Sequence, residues 1–124
     1  MANKSANTKQ VKWMKSITEW ANDNIHILYG REWAGCQFQR HHVTGRSSKQ
    51  DKVHIGHYFI IPVPFDLHDP NVDHEFHVGK CKRAFVNEFG TQRELFDIMY
   101  HDMIVEGYEV PDIEIYNAIM RTSA

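Results

Sequence analysis

The chain has 124 residues, enough for one domain with a modest core, and its 42% hydrophobic and 24% charged residues are ordinary for a soluble globular protein. Its longest apolar run is far short of a membrane span, its first residues lack the apolar core of a secretory signal, and its two cysteines are too few for a disulfide framework. The net charge of −2 does not favour nucleic-acid binding, but residues 1–52 hold nine Lys/Arg against four Asp/Glu, whereas residues 53–124 hold five against twelve. We therefore expect a cytoplasmic protein with no membrane partner, whose basic first half gives one positive face.

The first predicted element is a long amphipathic helix that runs from about Lys9 to a stop at Gly30. Its apolar residues recur at spacings of three and four and are Val11, Met14, Ile17, Ala21 and Ile25. Ser16 with Glu19 offers a capping box for a later start. Three aromatic residues are expected to pack this helix on the rest of the chain, with DNA stacking by one of them as the alternative: Trp13, Trp20 and Trp33.

A hairpin is predicted next. Residues 36–43 alternate in polarity and predict a strand, and residues 57–63 are dense in β-formers until Pro62 and Pro64 end the second strand. The polar loop 44–53 between them is expected to be a flexible turn. Its basic residues, free to meet phosphate, are Arg46, Lys49 and Lys52.

The second half of the chain is predicted to be mainly helical. The predicted elements are a helical turn over 65–69, an irregular segment over 70–79, and helices over 80–89, over 91–105 and from 111 onward. Thr91 and Glu94 form a capping box, and Pro111 suits a first helical turn. The inward-facing residues are expected to include Phe85, Phe89, Leu95, Met103, Ile113, Tyr116 and Ile119. The whole pattern predicts an α+β fold: a flexible tail over residues 1–8, then a single domain over residues 9–124 with its core in residues 36–90.

Seven of the nine histidines lie between residues 41 and 77. Imidazole is the commonest transition-metal ligand and a general base near neutral pH. A His-His pair at a strand end, a His after an apolar strand and another His nearby are typical of a metal-dependent nuclease site of the ββα kind. Adjacent strand residues point to opposite sides, so only one of His41 and His42 faces the metal if the strand stays regular. Cys36 and Cys81 are either buried apolar residues or metal ligands.

A series of short motifs carries a family resemblance. They are His41-His42-Val43-Thr44-Gly45-Arg46, Gly56-His57 leading into Ile60-Ile61-Pro62-Val63, then His68, Phe76-His77-Val78-Gly79-Lys80, Phe85, and Phe89-Gly90-Thr91-Gln92-Arg93-Glu94-Leu95. In order and approximate spacing, the series resembles the recombination-enhancement (Ref-like) nucleases of phages and prophages. That family belongs to the HNH, or ββα-metal (His-Me finger), endonuclease superfamily.

The resemblance implies a metal-dependent DNA endonuclease, a phosphodiester hydrolase acting in the cytoplasm of a bacterial host cell. It implies His42 as the general base, with His57 orienting the catalytic site or the phosphate. The implied ligands of a divalent metal are His41, His68 and His77, with Mg²⁺ or Mn²⁺ for catalysis and Zn²⁺ as a further candidate. The residues expected to bind DNA phosphate are Arg46, Lys49, Lys52, Lys80 and Arg83. A RecA-type recombinase filament is implied as a second partner.

The chain also departs from the family pattern. Pro64 and the pair His68-Asp69 stand where the family has a cysteine and a His pair, and only Cys36 precedes the first His pair where members often carry structural zinc ligands. These departures favour one alternative, a catalytically inactive HNH-derived module that binds DNA or a recombinase. A zinc-stabilised structural or interaction protein is the third hypothesis.

Overall fold

The computed structural model describes residues 5–124. Residues 1–4, half of the predicted tail, lie outside the described residues. The helices are α1 (Thr8–Tyr29), α2 (Phe65–His68), α3 (Lys82–Phe89), α4 (Gln92–Val105) and α5 (Ile113–Met120). The strands are β1 (Phe38–His42), β2 (Lys49–Gln50), β3 (Val53–His54) and β4 (Ile60–Pro64). The described residues form one small α+β domain. No helix among them has the length and apolar composition that a bilayer crossing requires.

Helix α1 begins earlier than the alternative start predicted from Ser16 and Glu19. Asn7 caps it: the Asn7 side chain accepts a hydrogen bond from the Gln10 backbone N–H at 2.9 Å, and the Gln10 side chain accepts one from the Asn7 N–H at 2.8 Å. This reciprocal pair satisfies two backbone donors that the first helical turn would otherwise leave unpaired. The late start is therefore wrong, whereas the predicted stop is confirmed, because Gly30 follows the helix with a φ of 103°.

The buried face of α1 is set by its tryptophans. Trp13 and Trp20 are 3% and 0% exposed, and each indole N–H has a partner: Trp13 donates to the Tyr58 carbonyl at 2.9 Å and Trp20 to Asp102 at 2.8 Å. Each ring thus buries a large apolar area without an unpaired donor. Val11, the first residue of the apolar pattern, is 44% exposed and so lies outside this buried face.

The central hairpin is confirmed. Strand β1 pairs antiparallel with β4, in a register that sets His41 opposite Ile61 and His42 opposite Ile60. All five residues of β4 are buried, even though the strand contains Pro62 and Pro64. Prolines are tolerated there because β4 pairs only with β1, which leaves its other edge free of ladder hydrogen bonds.

The expected flexible turn over 44–53 is instead a second small hairpin. Strand β2 pairs antiparallel with β3, and Asp51 and Lys52 at the tip have φ values of 52° and 69°, as a two-residue turn of this kind requires. Arg121, just after α5, donates from Nε to Asp51 Oδ2 at 2.5 Å. Residues 49–54 of the predicted turn are therefore paired and tied to the end of the last helix, a local structure that the sequence analysis did not predict.

The helical second half largely follows the prediction. The capping box of α4 is present, with Glu94 N–H donating to Thr91 Oγ1 at 3.1 Å and Thr91 N–H donating to Glu94 Oε1 at 2.7 Å. Helix α5 begins after Asp112, so Pro111 precedes it and does not lie in its first turn. Ile113, its first residue, is 65% exposed and does not face inward. The helices pack around β4, whose Ile60, Ile61 and Val63 are fully buried.

Gly56 permits a close approach between the segment that follows β3 and the segment that precedes β2. A Cβ at this position would lie 2.2 Å from the Arg46 carbonyl oxygen and 2.4 Å from that of Gly45. We therefore expect Gly56→Ala to lower the free energy of unfolding by about 1–3 kcal/mol, because backbone atoms have to move apart. Urea unfolding measures this. The control is Gly45→Ala, whose Cβ would meet only the Ser48 side chain, at 3.4 Å. Equal losses in the two variants would contradict the close packing at Gly56.

Candidate functional site

The first part of the site forms where α2 returns across β1. Gln39 and His41 are two residues apart, so the alternation of the strand places them on one face. Helix α2 follows β4 directly and packs on β1, with Leu67 fully buried and His68 in its only turn. This brings His68 to His41, with ring centroids 4.9 Å apart at an interplanar angle of 69°.

The two imidazoles face each other through one nitrogen each and contact carbonyl oxygens through the other. His41 Nδ1 lies 3.1 Å from His68 Nε2. The outer nitrogen of His41, Nε2, lies 2.9 Å from Oε1 of Gln92, the first residue of α4. The outer nitrogen of His68, Nδ1, lies 2.5 Å from Gln39 Oε1. Three elements, β1, α2 and α4, therefore meet at the His41–His68 pair.

Each ring of the pair can supply only one N–H. A neutral imidazole whose outer nitrogen donates to a carbonyl oxygen has a lone pair on its inner nitrogen. For His68 this tautomer is fixed by Asp69, because Gln39 Nε2 donates to Asp69 Oδ2 at 3.2 Å and so turns the Gln39 carbonyl oxygen towards the ring. Gln92 presents its carbonyl oxygen to His41 in the same way. When both outer nitrogens donate in this way, a lone pair remains on each inner nitrogen and a cation can bind both rings; in the other tautomer of His41, Nδ1 donates a hydrogen bond to His68 Nε2.

Burial keeps both rings neutral. Burial first, and then the neighbouring His68, lower the pKa of His41 from its usual 6.5 to about 4. Burial, followed by the nearby His77, also lowers the pKa of His68. At pH 7 both rings are uncharged. Neutral imidazole is the form of histidine that binds metal ions.

His77, the third predicted ligand, has a structural position. It is 4% exposed, and its Nε2–H donates to the Asp69 carbonyl at 3.0 Å. Its Nδ1 accepts hydrogen bonds from the backbone N–H groups of Gly79 and Lys80, at 3.1 Å each. Both ring nitrogens are used, so in this conformation His77 has no lone pair left for a metal. These hydrogen bonds hold the segment between α2 and α3 in place. They argue against the predicted role of His77 as a metal ligand.

The opposite face of β1 carries the predicted base. His42 Nε2 lies 3.3 Å from His57 Nδ1, and the two rings are nearly perpendicular at 82°. The pKa of His42 is lowered mainly by burial. The charge of Arg46, the neighbouring His57 ring and the charge of Arg40 lower it further, in that order. His42 is therefore neutral at pH 7, which is the state that a general base requires. The predicted base and the predicted ligand His41 are adjacent in sequence but lie on opposite faces of the strand.

The five basic residues predicted to bind DNA are spread over different parts of the fold. Arg46 and Lys52 border a cleft beside the buried His57. Lys49 lies on β2 and Arg83 on the exposed side of α3. Lys80 is engaged within the protein: its Nζ donates to Asp73 at 2.9 Å and to the Val72 carbonyl at 3.1 Å.

No group of three or more His, Cys, Asp or Glu side chains suited to a metal ion occurs within residues 5–124. Both cysteines are partly buried free thiols. Burial raises the pKa of the Cys36 thiol, which disfavours the thiolate that a metal would need. The Cys81 Sγ lies 3.6 Å from the His74 carbonyl oxygen. Any metal bound at the His41–His68 pair therefore takes its remaining ligands from water or from a bound phosphate.

Two residues of the pair's surroundings were missed in the sequence. Gln39 has a recognisable signal, because it lies two positions before His41 and so shares its face of β1. Gln92 belongs to the last motif of the family resemblance, but nothing local indicates its contact with His41: it meets that ring only through the tertiary packing of α4, from 51 positions away. Its burial, to 7% exposure, is unusual for a residue in a first helical turn.

Comparison of the chain with protein-family models, with curated proteins and with solved structures gave no match. The likeness to the Ref-like nucleases therefore stays a prediction from the motifs in the sequence. The geometry of the two histidine pairs is the basis for a functional proposal.

The depressed pKa of His41 predicts how stability depends on pH without metal. An unfolded chain protonates this residue near pH 6.5, whereas the folded chain does so only near pH 4. Between these values the unfolded state binds more protons, so the free energy of unfolding should fall as the pH drops from 6.5 to 4. His41 contributes at most about 3 kcal/mol of this loss.

Urea unfolding in chelator at several pH values measures the effect. His41→Gln should flatten the loss between pH 6.5 and 4, whereas His54→Gln, at an exposed position, should leave the slope of the parent protein. If the free energy of unfolding falls with pH equally in the parent and in His41→Gln, the buried His41 ring does not retain its neutral form in the folded protein.

Proposed function

We propose that the protein is a metal-dependent DNA endonuclease of the HNH type, which hydrolyses phosphodiester bonds. One observation carries the proposal: the inner nitrogens of His41 and His68 face each other at 3.1 Å between a two-stranded hairpin and the helix that follows it. Strand β1 contributes one ring and helix α2, which follows the partner strand β4, contributes the other, and this supports the hairpin-helix arrangement that the sequence resemblance implies.

The chemistry of the pair fits a divalent cation. Two ligand atoms about 2.1 Å from one ion stand about 3 Å apart when their bonds to it are near a right angle, which matches the separation of His41 Nδ1 and His68 Nε2. Histidines that bind metals characteristically donate their other N–H to a carboxylate or carbonyl oxygen, as Gln39 and Gln92 allow here. Asp69 extends this support by holding Gln39.

A bound divalent ion would supply positive charge to stabilise the phosphate oxygens as negative charge develops on them. The protein's own residues supply the rest. His42 is neutral at neutral pH and takes the proton of the attacking water. His57, in contact with the His42 ring, holds its orientation. Arg46 and Arg40 lie close enough to His42 to lower its pKa, and the same positive charges attract a phosphodiester.

A second candidate is the inactive module that binds DNA or a recombinase. Two observations favour it: no group of three ligand side chains forms among residues 5–124, and His42 lies across the strand from His41. In this case the His41–His68 pair has only a structural role, and the basic residues bind DNA or a recombinase without any cleavage. Dependence on a RecA-type recombinase filament follows from the sequence resemblance only and is tested by adding such filaments to the assay.

Metal binding should depend on the pair and on its hydrogen-bonded support. We expect His68→Ala to abolish measurable binding of Mn²⁺ or Zn²⁺, because one of two protein ligands is lost. Gln39→Leu should weaken binding about 10–100-fold, because the His68 N–H loses its acceptor. Isothermal titration calorimetry measures both variants. His101→Ala, at an exposed position on α4, is the control. Unchanged affinity in His68→Ala would place the metal elsewhere.

Cleavage should separate the base from the ligands. In His42→Ala we expect nicking of supercoiled DNA to fall about 10²–10⁴-fold while metal affinity stays that of the parent, because only the proton acceptor is removed. His68→Ala should lose both properties, and circular dichroism shows whether each variant is folded. If His42→Ala nicks as fast as the parent, the base is another group. If the parent binds metal but cuts nothing with Mg²⁺, Mn²⁺ or Zn²⁺, with or without recombinase filaments, the inactive module is the better account.

A further inference from the structure

A cleft with basic walls runs between α1 and the face of β1 that carries His42. We call it the α1–β1 cleft. Its lining includes Val11, Met14 and Lys15 of α1, Arg40 and His42 of β1, and Arg46. The α1 residues lie three and four positions apart and so share one side of the helix. Arg40 and His42 share a face of β1 by strand alternation. His57 forms the end of the cleft next to His42.

The charge of this cleft is uncompensated. Lys15, Arg40 and Arg46 all border it, and no Asp or Glu does. None of the ion pairs among residues 5–124 involves these three side chains. By contrast, Lys12, one turn before Lys15 on α1, is paired with Glu109 at 2.9 Å. Positive charge without a partner, set between low-dielectric walls, gives the strongest local attraction for an anion.

The cleft continues past His57. A second cleft shares Ser5, Arg46 and His57 with the first and adds Lys52 and His54 near the tip of the β2–β3 hairpin, with Glu114 of α5 as its one acidic lining residue. The cationic residues therefore follow a path from Lys15 on α1, past Arg40 and Arg46, to Lys52. A succession of cations along a groove matches a polymer of phosphates better than a single phosphate ion.

Apolar side chains border the same path. Val11 is 44% exposed, and the partly buried Met14 borders the cleft beside it. A nucleic-acid strand presents apolar sugar and base surfaces between its phosphates, and these can pack on such residues. An inorganic phosphate has no group to place there.

We propose that the α1–β1 cleft binds the phosphodiester backbone of a nucleic-acid strand through Lys15, Arg40 and Arg46, with Lys52 extending the contact. The inference rests on the proposed function for the identity of the polymer and assigns that polymer's path over the protein. Lys15 and Arg40 join the binding surface, although the sequence did not single them out. Lys80 and Arg83, which it did, lie outside the cleft. The path delivers a phosphate to His42, at the end of β1.

Binding can be tested without metal and therefore without cleavage. The measurement is the fluorescence anisotropy of labelled duplex DNA, single-stranded DNA and RNA, in chelator, over a range of NaCl concentrations. Lys15→Gln, Arg40→Gln and Arg46→Gln should each weaken binding and reduce the dependence of log affinity on log salt by about one unit. The matched control is Lys12→Gln, which removes one charge from the same helix at a paired position outside the cleft. The polymer bound most tightly identifies the natural class of strand.

The outcomes decide between the proposals. Binding that is independent of salt, no binding by the parent, or an equal loss in Lys12→Gln overturns the cleft assignment. Losses in Lys80→Gln and Arg83→Gln as large as those in the cleft variants also overturn it, in favour of the surface expected from sequence. If the cleft variants lose binding but the parent never cuts DNA, the endonuclease proposal fails and the cleft stands. If the parent cuts and the cleft variants bind and cut like it, the cleft fails alone.

Discussion

The antiparallel pairing of β1 with β4 is the constraint on which the candidate site depends. Once His41 is opposite Ile61 and His42 opposite Ile60, the two histidines must point to opposite faces of the hairpin. A shift of one residue would exchange them. The buried apolar residues of β4 oppose such a shift, because it would turn Ile61 and Val63 away from the side chains they now pack against. The hydrophobic core thereby fixes which histidine meets α2.

The two faces have different physical character. One is a hydrogen-bonded network in which Asp69, Gln39, His68, His41 and Gln92 follow in sequence. Its members contact one another in turn, and His41 Nδ1 and His68 Nε2 lie 3.1 Å apart at its centre. The other face holds a neutral histidine pair beside uncompensated positive charge. The first suits a metal cation and the second suits an anionic polymer. On this account a scissile phosphate lies at the end of β1, where the two faces meet.

Much of the fold could be predicted because its signals are local. The hairpin, the stop at Gly30 and the capping box of Thr91 and Glu94 each depend on residues within a few positions of one another, and each is confirmed. The pairing of loop 44–53 was missed because Asp51 and Lys52 are weak turn signals without glycine. The exposure of Val11 could not be predicted because helical periodicity alone does not show which face the large tryptophans will turn inward.

The candidate site was less accessible to sequence analysis for the opposite reason. The approach of His41 to His68 follows from the resemblance and from the turn after β4, but Gln92 reaches His41 only through tertiary packing. His77 illustrates the limit: a histidine in a His-rich segment suggested a ligand, whereas its ring is used to hydrogen-bond the backbone. A histidine's role depends on the partners of both ring nitrogens, and sequence spacing does not supply these.

The central claim is that His41 and His68 together hold a divalent cation, and its most direct test is a crystal structure with Mn²⁺, using anomalous scattering to locate the ion. The account predicts one anomalous peak within bonding distance of both His41 Nδ1 and His68 Nε2, with the Gln39 and Gln92 carbonyl oxygens still accepting from the outer nitrogens. A peak at His42 and His57, or a structure in which the His41–His68 pair keeps a direct hydrogen bond at saturating Mn²⁺, would contradict it.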